Sequence, residues 1–114
     1  MLIKKDRIPQ ITEAAPMGGI GTLLLDKMSL ATQLPDSVGM FAKATLLPGS
    51  EVGYHVHSTD SEAYYILSGV GAYNENGVTR EVRAGDLTYT PVGGGHSIKN
   101  IGVEKLEFIA LILK

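Results

Sequence analysis

The stretch Gly49–Gly69, GSEVGYHVHSTDSEAYYILSG, decides how this chain reads. It carries two of the protein's three histidines, His55 and His57, one residue apart, and Glu62 follows five positions after the second. In an extended strand the side chains at i and i+2 leave the same face, so His-x-His aims two imidazoles at one place. On a helix the same spacing would splay them by roughly 200°, because each residue advances about 100°. The third histidine, His96, lies in a second glycine-bracketed segment, GDLTYTPVGGGHSIKN, from Gly85 to Asn100. Three imidazoles and one carboxylate make a metal-binding set, so His55, His57, Glu62 and His96 are the candidate ligands. Imidazole and carboxylate without sulfur suit one divalent transition ion among Mn, Fe, Co, Ni, Cu and Zn. Ligation by imidazole needs the deprotonated ring, so metal uptake is expected to weaken on acidification.

Outward from these segments the chain reads as short strands divided by turns. Met40 to Leu47 ends at Pro48-Gly49, Val52 to His57 ends at the turn Ser58–Ser61, and Glu62 to Leu67 is closed by Gly69. Asn74-Glu75-Asn76-Gly77 separates Ala72-Tyr73 from Val78–Val82, and Asn76-Gly77 is a strong hairpin signal because both residues tolerate positive φ. Leu87–Thr90, His96–Asn100 and Leu106–Leu113 complete the set, with Leu23–Leu25 an earlier strand. Residues 1–19 read as an extended arm and a loop. Asp26–Ser37 is the one place for a short helix, from the spacing of Met28, Leu30, Ala31 and Leu34, limited by Pro35. Strands at this spacing with 14 glycines predict an all-β fold, an antiparallel sandwich or barrel.

Composition narrows the function classes. The 114 residues predict one domain, residues 1–114, with a single core. Net charge is −2 with the charges scattered, so neither a nucleic-acid stripe nor a polybasic lipid anchor is present. No cysteine excludes disulfides and thiolate sites. No apolar run follows the first lysines, so no signal peptide is evident, and a cytoplasmic protein is expected. Gly19-Ile20-Gly21 is followed by a strand-like run, which argues against a dinucleotide loop. A Ser97, His96 and Asp60 or Asp86 triad lacks any nucleophile-elbow motif.

With these residues in view, the chain resembles a small single-domain cupin. Gly49, His55, His57, Glu62 and Gly69 match the family's first motif, G-x5-H-x-H-x4-E-x6-G. Gly85, Pro91, Gly93, His96 and Asn100 match its second, G-x5-P-x-G-x2-H-x3-N. The resemblance implies a double-stranded β-helix (a jelly-roll barrel), metal ligation by the same four residues, and a structural role for Asn100. It leaves the activity open among dioxygenase, decarboxylase and isomerase chemistry on a small oxygenated molecule, with a binding or sensing module as the alternative.

Strand alternation extends the reading into the pocket. If Glu62 points inward, Tyr64 and Ile66 do too, while Ala63, Tyr65 and Leu67 face out. Tyr64 is the candidate catalytic residue, as a hydrogen-bond or proton donor. Ile98 should share the face of His96. Along Met40–Leu47 the expected inward set is Met40, Ala42, Ala44 and Leu46. The opposite set would bring in Lys43, which is carried as a candidate substrate-binding residue. Phe108, Ala110 and Ile112 are expected to complete the wall. The outward apolar residues predict a homodimer, with the N-terminal arm crossing to the partner.

Overall fold

A computed structural model describes all residues, Met1–Lys114. It is all-β. Ten strands run in chain order: β1 Gln10–Ala14, β2 Thr22–Lys27, β3 Val38–Leu46, β4 Glu51–Val56 and β5 Ser61–Ser68, then β6 Val70–Glu75, β7 Val78–Arg83, β8 Leu87–Thr90, β9 Gly95–Asn100 and β10 Leu106–Leu113. They form two antiparallel sheets, a six-stranded one in the order β1-β2-β3-β10-β5-β8 and a four-stranded one in the order β4-β9-β6-β7. No helix is long and apolar enough to cross a membrane.

Alternation along β3, β5 and β10 builds the core between the sheets. Ala42, Ala44 and Leu46 of β3, Tyr64 and Ile66 of β5, and Leu106, Phe108 and Ala110 of β10 are all buried. The register sets large against small: Phe108 lies across from Ala44 on one side and Ile66 on the other, and Ala110 across from Ala42. That interleaving leaves room for an aromatic ring beside small neighbours. Full burial of such a ring stabilises the fold by about 2–3 kcal/mol. Ile98 is fully buried with His96, as alternation along β9 requires. Tyr65 and Leu67 face outward and are exposed.

The turns follow their residues. Asn76 and Gly77 take φ of 50° and 91° between β6 and β7, the paired positive φ of a tight hairpin. Asn100 holds a loop from inside: its Nδ2 donates to the carbonyls of Leu46 and Glu104, at 2.9 and 2.7 Å, and its Oδ1 accepts from the amide of Gly102 at 2.9 Å.

One expectation is corrected here. Asp26–Ser37 is not a helix; only Met28–Leu30 forms a single 3-10 turn. Asp26 and Lys27 instead extend β2, opposite Lys43 and Ala42. Pairing takes the first two residues, and Pro35 leaves the remainder too short to hold a helix without packing. Within the chain, Gln10–Ala14 of the N-terminal segment forms an edge strand paired to Asp26–Thr22.

Candidate metal centre

A one-residue irregularity makes the site. Between β4 and β9 the register runs Glu51↔Lys99 and Val52↔Ile98, then resumes at His55↔His96. One extra residue therefore enters β4 at Gly53-Tyr54. Val52 faces the core, and strict alternation from it would send His55 outward. The bulge restores His55 and His57 to the inner face. Gly53 is needed there, because a Cβ would collide with the backbone of Met17 and Gly19.

Glu62 arrives from β5 and His96 from β9, so both sheets supply donors. His96 Nε2 stands 3.0 Å from His57 Nε2, 3.2 Å from His55 Nε2 and 3.1 Å from Glu62 Oε1. The same carboxylate oxygen is 3.2 Å from His57 Nε2 and 4.0 Å from His55 Nε2. All four ligand atoms lie within 4.8 Å of one another, and this group could hold a metal ion.

The outer nitrogens fix which lone pairs point inward. His55 Nδ1 donates to the Gly53 carbonyl at 2.8 Å, so the bulge also orients the ring it re-aims. His57 Nδ1 donates to Asp60 Oδ1 at 2.7 Å. Both rings then carry their lone pairs on Nε2. His96 Nδ1 lies 2.8 Å from the Tyr73 hydroxyl and 2.9 Å from Thr90 Oγ1, which are themselves 2.8 Å apart. A proton on His96 Nε2 could serve only one of its three neighbours; the other contacts would set lone pair against lone pair. A cation relieves all of them. Donors at right angles around an ion, with bonds of about 2.1 Å, stand about 3.0 Å apart, close to the spacing of the four short contacts among these atoms. The donor set fits an ion.

Electrostatics agree with that chemistry. Burial pushes the Glu62 carboxyl up, but the imidazoles of His55 and His96 outweigh it and bring it down to about 2. The nearby Glu62 carboxylate raises His55 against the opposing effect of its burial. Burial lowers His96, keeping it neutral despite the nearby carboxylate. Tyr64 stacks on His96 with ring centroids 5.0 Å apart. Burial first, and then the Glu62 charge, push its phenol well above the ordinary range. It remains a donor at every ordinary pH.

A cavity of about 360 Å³ opens beside His55, His57 and Glu62, with Tyr64 in its lining. Lys43 is not part of it. Its side chain lies on the outer face of β3, where Nζ meets Glu107 Oε2 at 2.7 Å, because the apolar alternate set takes the inside. Asp60, Tyr73 and Thr90, which orient the imidazoles, were not singled out as such from the sequence. Inward parity along Tyr64 and Ile66 offers no analogue for Tyr73, whose segment carries too short an apolar pattern. Asp60, three residues after His57 in a turn, was the legible one.

The chain belongs to the cupin family: the family model described as "Cupin domain" matches residues 42–112. It is 34% identical over 113 residues to the oxalate-binding protein of Thermotoga maritima, covering 99% of this chain and 93% of that one. A solved structure from Thermotoga maritima, described as a predicted oxalate decarboxylase, superposes with a TM-score of 0.89 at 35% identity, covering 99% of this chain and 98% of the other. Oxalate decarboxylase of Bacillus subtilis shares 35% identity over 75 residues, but the match spans only 61% of this chain and 20% of that enzyme.

Proposed function

We propose that this chain is a metal-bearing cupin that binds a small carboxylate through one divalent transition ion held by His55, His57, Glu62 and His96. The observation that carries the reading is the set of inward lone pairs, three Nε2 atoms and one carboxylate oxygen, with protons occupying the outward nitrogens of His55 and His57. Likeness to a protein named for oxalate binding makes oxalate the first ligand to test. Such an ion, when bound, supplies a Lewis-acidic centre that attracts and orients carboxylate oxygens.

The chain's own groups do the rest. Glu62 stays ionised in its buried setting. Asp60, Tyr73 and Thr90 hold the imidazoles in orientation, the general role of partners behind metal ligands. Tyr64 keeps its proton, which suits it to donate a hydrogen bond to an anionic ligand. Likeness over nearly the whole chain to a protein named for oxalate binding favours binding as the first reading. Turnover by decarboxylase, dioxygenase or isomerase chemistry is the second reading, supported by the likeness to the Bacillus subtilis enzyme.

Isothermal titration with oxalate, on metal-loaded and chelator-stripped protein, tests the first reading. Saturable binding by the loaded protein alone, without product under air or without oxygen, is the expected result. Equal binding by the stripped protein would overturn it, and carbon dioxide or formate release would establish the second reading instead. We also propose a cytoplasmic homodimer. The exposed Tyr65, Leu67, Leu87 and Tyr89 on the outer face of β5 and β8 support the pairing, and light scattering after gel filtration reads the mass directly.

A further inference from the structure

We infer that the cavity selects a 2-oxo or 2-hydroxy monocarboxylic acid with a short aliphatic body, in preference to oxalate or to a longer dicarboxylate. The inference rests on the carboxylate-binding reading above and names the ligand class of that site. The cavity's volume of about 360 Å³ falls in the range of small-molecule sites that enclose a ligand's body as well as its head. Oxalate, two joined carboxylates with no carbon beyond them, leaves most of that space unfilled.

The lining tells what the remainder should be. Besides His55, His57 and Glu62, the lining includes Leu23, Leu25, Met40, Val52, Phe108 and Ile112. No lysine or arginine lines the cavity. Lys43, the cation nearest in sequence to the wall residues of β3, is turned outward onto Glu107. The charged groups present besides Glu62 and the imidazoles are Glu13 and Asp60, both acidic, and Asp60 is engaged by His57. A ligand carboxylate at the donor group would be matched by the ion. A second carboxylate reaching toward the leucines would lose its water, gain no counter-charge and face Glu13. An alkyl group in the same place gains from burial. The head group must still offer two adjacent oxygens for chelation, and a 2-oxo or 2-hydroxy acid does so with a single charge.

The test uses the metal-loaded protein and three probes of related head group: 4-methyl-2-oxopentanoate, 2-oxoglutarate and oxalate. The branched acid should bind at least ~10-fold more tightly than 2-oxoglutarate, from burial of its alkyl carbons, and more tightly than oxalate. Met40→Lys, at a partly exposed position on the cavity wall, should retain metal and move the ratio between the two oxo acids toward 2-oxoglutarate. The wild-type ratio decides the matter even if that variant folds poorly. Tighter binding of oxalate or 2-oxoglutarate than of the branched acid would overturn the inference while leaving the carboxylate-binding reading intact. Failure of all three probes to bind, with metal still present, would overturn both.

Discussion

The β3–β10 pair and the β4–β9 pair are both antiparallel ladders, yet they do opposite things. From Leu106↔Leu46 to Ile112↔Met40 the first runs without interruption, and its inner residues are aliphatic or aromatic. The second breaks between Val52 and His55, and its inner residues change from valine to histidine at the break. A regular ladder keeps one set of side chains inside, which makes a wall. A bulge changes parity within one strand, so the same strand can contribute to the core and then to a polar site. Stability and metal binding should therefore be separable by substitution.

The largest effect is expected in the wall. Phe108→Ala removes a buried ring opposite Ala44 and Ile66 and should cost about 3–5 kcal/mol in denaturant unfolding. The fraction still folded should take up metal as before; loss of metal with stability unchanged would break the distinction between the pairs. Gly53→Ala, at the bulge, should cost about 1–3 kcal/mol because the new methyl meets backbone that has little room to move. Unlike the wall variant, it should also weaken metal affinity by misdirecting His55, as a competition titration with a chromogenic chelator would show.

Smaller changes sharpen the contrast. Tyr73→Phe keeps the buried ring and removes one hydroxyl from His96 Nδ1. Metal affinity should fall about 10-fold and the ligand-field spectrum of the cobalt form should shift, with unfolding altered by only about 1 kcal/mol. Lys43→Ala should do least. It breaks a partly exposed pair with Glu107, so stability should stay within about 1 kcal/mol and titrations with metal and carboxylate should be unchanged. A clear loss of ligand binding in that variant would contradict the outward placement of Lys43.

What could be read from the sequence divides along the same line. Glu62, Tyr64 and Ile66 follow period-two alternation through a regular strand, so their common inward face needed no knowledge of neighbours. The shared face of His55 and His57 was also legible, since the two residues lie beyond the bulge and keep local alternation. The bulge itself was not. It is a mismatch of register with β9, and register is set by a partner more than thirty residues away. The hydroxyls behind His96 come from β6 and β8 and depend on how the two sheets close, which no local pattern encodes. The helix expected at Asp26–Ser37 failed because pairing with neighbouring strands takes Asp26 and Lys27, and the few apolar residues before Pro35 are too short a run to hold a helix alone.

The account's central claim is that four side chains from two sheets share one cation. Elemental analysis of wild-type protein and of His57→Ala, each purified without added metal and then again after incubation with divalent ions at neutral pH, tests it most directly. The account predicts about one transition-metal ion per wild-type chain, and strong loss of that ion in the variant while its β-sheet circular dichroism persists. A wild-type chain that takes up no ion under either condition, or a variant that keeps the full complement, would contradict it.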